Sequence, residues 1–179
     1  MKFRIRRLAA VALAAAATLC ATPAARSADA SGPATVEAIN ADCSAIQSAI
    51  QALHPVHLAL VNSKWKVLND NDYTVIEKTH ESLTLVDVWK QGKSYAWVHS
   101  HTVDAKGNQR ATQLCFRQSD GTLERARQAG TVPALDAAAA EQAFYASDGK
   151  VIQKTAAFEV NDPALAKKIE ALPFYSQLP

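Results

Sequence analysis

His99-Ser100-His101 is the pattern in this chain best suited to chemistry. Two histidines two residues apart on a strand point the same way, so one strand can offer two imidazoles to a metal ion. A zinc site needs at least a third ligand. Only His80, Asp87 and Cys115 come near by strand pairing. The blander expectation is that His99 and His101 form the polar end of a half-covered sheet face beside Gln113. Alternation places Tyr95, Trp97, Arg125 and Arg127 on that face too. An aromatic floor with two guanidinium groups suits an anionic ligand or a carboxylate on a partner. The competing expectation pairs those arginines with Asp87 and Glu124.

Other catalytic patterns are absent from the sequence. It has no G-x-S-x-G elbow, phosphate loop, dinucleotide fingerprint or H-E-x-x-H. Asp70-Asn71-Asp72 departs from the spacing of an EF-hand loop, which needs a glycine as well as a distant glutamate. Trp65, Trp89 and Trp97 suit a sugar platform, but core is the commoner fate of tryptophan. The expectation is a non-catalytic protein, with no cofactor, that binds a small ligand or an envelope or extracellular protein. The alternative is a small metal-binding protein or enzyme using His99 and His101.

The elements that must position these residues centre on a meander. Strands are expected at Ser82–Trp89, Lys93–Asp104, Asn108–Gln118 and Thr122–Gln128. Three loops join them: Lys90-Gln91-Gly92, Ala105-Lys106-Gly107 and Ser119-Asp120-Gly121. Each ends in glycine, where a type I turn with a G1 bulge needs positive φ. Such turns fix the register. The first sets Asp87 against Tyr95, Leu85 against Trp97 and Leu83 against His99. The second sets Trp97 against Cys115 and His99 against Gln113. The third sets Cys115 against Arg125 and Gln113 against Arg127. One face then carries Leu83, Leu85, Tyr95, Trp97, His99, His101, Gln113, Cys115, Arg125 and Arg127. The other carries Val86, Val88, Ala96, Val98, Leu114, Phe116 and Ala126. Neither is purely polar, so both are expected to be covered in part.

Around the meander the reading is α+β. A first helix spans about Thr35 to Leu53, with Ile39, Cys43, Ile46, Ile50 and Leu53 on one stripe and Pro55 beyond its end. Val56–Leu60 and Trp65–Leu68 are candidate strands, Asn69–Asp72 a turn, and Tyr73–Ile76 a returning strand. A second helix is expected from Val132 through Phe144, a late strand at Val151–Val160, and a short C-terminal helix at Ala164–Leu172 capped by Asp162. The sum is an N-terminal helix packed on an antiparallel meander of five to seven strands, plus two helices and a late strand. This layout is similar to cystatin-like and NTF2-like folds, a likeness that carries no function.

Residues 1–30 read as a secretory signal: a basic head at Lys2, Arg4, Arg6 and Arg7, an uncharged apolar run from Leu8 to Ala21, and Ala28-Asp29-Ala30 for cleavage. Residues 31–179 then form one domain, periplasmic or secreted, without a transmembrane span. Cys20 stands where a lipoprotein signal puts its acylated cysteine, but follows Leu19 rather than a small residue. The segment holds five basic residues and one acid. Without it, 14 basic and 16 acidic residues remain of the chain's 19 and 17, a balance of −2. The precursor's positive charge is thus an export feature and no argument for nucleic acid. Two cysteines remain for an oxidising compartment, and a Cys43–Cys115 bridge is expected.

Overall fold

The computed structural model describes residues 35–79, 83–132, 137–158 and 165–179, with the backbone alone at 77–79, 131–132 and 137–140. Residues 1–30, expected to be a signal, and His80 and Asp162 lie outside these residues.

Helix α1 spans Val36–Ile50, and Thr35 caps it by accepting from the Ala38 N–H at 3.2 Å. Its buried stripe is Ile39, Cys43, Ile46 and Ile50. Leu53, expected on that stripe, lies past the helix end and is 45 % exposed. Strands β1 (Val56–Val61) and β2 (Lys64–Leu68) follow as a hairpin. Asn62 and Ser63 join them with φ of 49° and 61°, the two positive values a type I′ turn requires.

Residues 70–79 correct the sequence reading. They form helix α2 (Asp70–Thr79), not a returning strand. Asn69 decides this. Its Oδ1 accepts from the Asp72 N–H at 2.8 Å, and its Nδ2 donates to Asp72 Oδ2 at 2.9 Å, a reciprocal cap that starts a helix. Tyr73 and Ile76, three apart, then pack on Ala59, Leu83 and Leu85, and this burial overrides the β preference of Tyr-Thr-Val-Ile.

The remaining strands are β3 (Leu83–Gln91), β4 (Ser94–Val103), β5 (Gln109–Phe116), β6 (Leu123–Val132), β7 (Ala137–Tyr145) and β8 (Val151–Lys154). All eight join one antiparallel sheet in the order β2-β1-β3-β4-β5-β6-β7-β8. The fold is α+β as expected, with more strands and fewer helices among the described residues. Strand β7 replaces the expected second helix. Its alanines favour a helix, yet β6 offers a full-length edge that pairs from Val132↔Ala137 to Arg125↔Phe144. Pairing there buries Phe144 in one core cluster and Tyr145 in another. The late strand is shorter than expected, because residues 156–157 turn after Lys154. No α-helix forms at 165–172. Ile169–Ala171 is a single 3₁₀ turn. The backbone bonds of this segment go to the β5–β6 turn instead, with Ile169 N–H on Gly121 O and Leu123 N–H on Lys167 O, both 2.9 Å.

The second and third expected registers are present: Trp97↔Cys115, His99↔Gln113, Cys115↔Arg125 and Gln113↔Arg127. The first is displaced by four residues. Gln91 pairs with Ser94 around Gly92-Lys93, so Asp87 meets His99 and Leu85 meets His101. Gly92 has φ +63° and Lys93 does not follow it into positive φ, the pattern of a two-residue II′ turn. The pairing also steps between Trp89↔Trp97 and Lys90↔Tyr95, leaving Ala96 as the extra residue of a bulge. That one residue reverses the alternation. Tyr95 joins the cluster of Val88 and Val98, and Ala96 joins Trp97. The sequence reading had these two on the opposite faces.

The core is accordingly double. Helices α1 and α2 cover one face, over Ala96, Trp97, Cys115 and Phe144 and over Ala59, Leu83 and Leu85 respectively. Phe158, Leu165, Ile169, Leu172 and Phe174 cover the other, over Val86, Val88, Val98, Leu114 and Ala126.

Candidate functional site

The face expected to bind a ligand is mostly the underside of α1. Trp97 is 3 % exposed and packs with Ile39, Cys43, Ile46 and Phe144. Cys43 and Cys115 form a disulfide, with S–S 2.06 Å and Cα–Cα 5.9 Å, that ties α1 to β5. Arg125 is 6 % exposed. Its Nη1 donates to Asn40 Oδ1 on α1 at 2.9 Å, and its guanidinium carbon lies 5.8 Å from the Trp97 ring centre. These groups hold a helix on a sheet. Neither acid expected for the arginines takes Arg125. Glu124 pairs with Arg117, Nε to Oε1 2.8 Å, and Asp87 pairs with His57, Nδ1 to Oδ1 2.7 Å. Arg127 is exposed and lines a polar cleft of about 390 Å³ with Gln47, Gln113 and Glu141. Tyr95 is on the other face, where its hydroxyl donates to Pro179 O and Lys90 Nζ donates to the same oxygen at 2.8 Å.

His99 sits in a seam, and His101 lies one row further on, opposite Leu85. Register aligns His57, Asp87, His99, Gln113, Arg127 and Gln142 straight across six strands. This polar row runs between the row of Trp97 and Cys115 beneath α1 and the row of Ala59 and Leu85 beneath α2. Asp87 thus faces His57 on one side and His99 on the other. The Tyr73 hydroxyl lies 3.5 Å from its second oxygen. His99 is half-buried, and desolvation holds its imidazole below the ordinary value of 6.5, against the pull of Asp87 and with the push of His101. Of the third metal ligands considered, Cys115 is in the disulfide and His80 is outside the described residues. Among the described residues, the one trio of donor atoms within 4.8 Å of one another is Cys43, Cys115 and Glu124, and both of its sulfurs are bonded to each other. Glu124 reaches that spot because it is the extra residue of a second bulge, between Phe116↔Leu123 and Cys115↔Arg125. Burial raises its pKa above the ordinary carboxylate value despite Arg117.

The opposite face holds a cavity of about 580 Å³, within the range of about 300–1,000 Å³ usual for small-molecule sites. Its floor is read off the register in three rows. The innermost is Val98–Leu114, both apolar. Next come Val86–Ser100–Thr112, then Thr84–Thr102–Arg110–Gly130. Rows on one face lie two residues apart, about 7 Å. Polarity therefore rises in steps towards the β4–β5 turn, where Asp104 and Asn108 complete the lining. Trp65 and the segment Leu172-Pro173-Phe174 complete the walls, with Trp65 edge-on to Phe174 at 5.0 Å.

No family model matches the chain. Comparison with curated proteins and with solved structures finds no significant match. The site must be read from its own residues.

The structure divides the six ligand candidates among five places. Trp97 and Arg125 are beneath α1, His99 is in the seam, His101 in the row of Leu85, Arg127 in the polar cleft, and Tyr95 on the far face. The larger cavity uses residues the sequence reading passed over. Thr84, Ser100, Thr102, Arg110 and Thr112 continue the alternation that placed Val86, Val98 and Leu114, so their face was legible. That Trp65, Leu172 and Phe174 would wall it had no local signal, because each arrives from a distant part of the chain.

Proposed function

We propose that this chain is an exported, non-catalytic binding protein that holds a small amphipathic ligand between the β3–β6 face and the C-terminal segment. The observation that carries this reading is the stepped lining of the cavity: an apolar row of Val98 and Leu114, then hydroxyls, then an amide and charged groups, with Trp65 and Phe174 among its walls. Such a lining favours a molecule apolar at one end and polar at the other. Export is supported by the signal-like residues 1–30 and by the disulfide, which persists in an oxidising compartment. Among the described residues no helix is long and apolar enough to cross a membrane. The groups on the helix-covered face serve packing, which favours the far face as the ligand site.

The test is titration with an apolar fluorophore, N-phenyl-1-naphthylamine. Binding is expected in the native protein. Ser100→Phe puts a ring into the middle row and should weaken binding by about tenfold or more. Arg127→Ala, in the polar cleft, should leave it unchanged. No binding by the native protein, or equal binding by Ser100→Phe, would overturn the reading.

A further inference from the structure

We infer that the ligand is an uncharged molecule, a largely apolar body carrying an alcohol or carbonyl oxygen, with that oxygen set between Ser100 and Thr112; this rests on the cavity being the binding site. The middle row of the lining decides it. Ser100 and Thr112 are direct cross-strand partners on β4 and β5, and both line the cavity. Side chains so paired stand about 5 Å apart, so two hydroxyls can reach one oxygen atom between them. Among the described residues neither hydroxyl has a hydrogen-bond partner. In the outer row, by contrast, the Thr84 and Thr102 hydroxyls lie 3.3 Å apart and bond to each other. A hydroxyl can both donate and accept. A carbonyl oxygen can therefore accept from Ser100 and Thr112 together, and an alcohol can accept from one while donating to the other. The inner row, Val98 and Leu114, lies about 7 Å further along and takes the apolar body.

The lining carries two charges, opposite in sign and both engaged. Asp104 is committed to its own turn. Its Oδ2 accepts from Asn108 Nδ2 at 2.8 Å, and its Oδ1 accepts from the N–H groups of Lys106 and Asn108 at 2.8 and 3.0 Å. These donors, the Asn108 side chain first among them, hold its pKa below the ordinary value. Arg110 is exposed and has an interaction of its own. The lining residues of the middle row, Val86, Ser100 and Thr112, are uncharged. Thr112 is buried and Ser100 half-buried. An ion brought between them would lose water, and two neutral hydroxyls do not compensate that cost. A neutral oxygen loses less on leaving water and recovers it through the two hydrogen bonds.

Displacement of bound N-phenyl-1-naphthylamine near neutral pH by four compounds, each below any micelle concentration, tests this: octan-1-ol, octan-2-one, octanoate and octylammonium. The alcohol or the ketone should displace the fluorophore at a concentration about tenfold or more below that of either ion. A gap between the two neutral compounds assigns the oxygen as hydroxyl or carbonyl. Ser100→Ala with Thr112→Val removes both hydroxyls and little volume. It should lower affinity for the better neutral compound by about tenfold relative to that for the fluorophore, while Thr112→Ser, which keeps the hydroxyl, retains the native ratio. Displacement by either ion at or below the concentration needed for the alcohol and the ketone would overturn the assignment and leave the cavity standing as a site. So would a native ratio in the doubly substituted protein, or failure of all four to displace a bound fluorophore. If the fluorophore itself did not bind, the cavity reading would fall, and this inference with it.

Discussion

Tyr145 buries a hydroxyl that has no hydrogen-bond partner among the described residues, and burial raises its pKa. Removing such a group relieves a desolvation cost without breaking a bond. Tyr145→Phe is therefore expected to leave stability unchanged or raise it by up to about 1 kcal/mol in urea unfolding. His99 makes a prediction with a definite sign. Its folded pKa lies below its unfolded value of 6.5. As pH falls through 6.5, the unfolded imidazole takes up a proton before the folded one, so acid favours unfolding. Stability followed from pH 8 to pH 5 should decline, and His99→Gln should flatten that decline. At this scale the sequence was informative about neighbours and uninformative about environment. Alternation correctly joined Trp97, His99 and Arg125. It could not say that Asn40 of α1 would accept from Arg125, or that Asp87 would pair with His57, because both partners come from elements whose placement depends on tertiary packing.

Among the elements, turn chemistry was the most legible feature and also the source of the main register error. Gly107 sits at φ +80° in the three-residue loop expected there. At the β3–β4 connection the chain uses two residues in place of three, and the bulge at Ala96 absorbs the difference. The dipeptide preference does not distinguish these outcomes. Helix propensity failed at Ala137–Tyr145 and strand propensity at Tyr73–Ile76 for a common reason: an available sheet edge and an Asn cap each outweighed the intrinsic preference. The C-terminal segment shows the same effect. Its apolar residues at 165, 169 and 172 have helical spacing, yet its N–H groups find partners on Gly121 and neighbouring backbone. Gly121 itself has φ +67°, and a Cβ there would come within 3.0 Å of Ile169 Cγ2. Gly121→Ala is expected to destabilise by about 1–2 kcal/mol and to loosen the C-terminal segment, seen as faster amide exchange at Ile169. The Cys43–Cys115 bridge closes a separation of 72 residues. By the loop-entropy estimate, reduction should lower stability by about 4 kcal/mol, read as the difference between oxidised and reduced protein in urea.

At the scale of the whole molecule, the sheet separates two tasks. The helix-covered face spends its tryptophan, its disulfide and one of its arginines on holding α1, with a polar row of His57, Asp87 and His99 between the two helices. The other face is sealed by C-terminal side chains at its apolar end and left hollow towards the β4–β5 turn. The sequence made two mixed faces legible, but not which was filled, since that depends on what the distant segments cover. The proposed ligand enters the second face. Methyl NMR of the protein titrated with octan-1-ol tests this most directly, because the two faces carry different methyl groups. Shifts are predicted at Val86, Val98, Leu114 and Leu172, with Ile39, Ile46 and Leu85 unmoved. Shifts confined to Ile39, Ile46 and Leu85, or none at all, would contradict it.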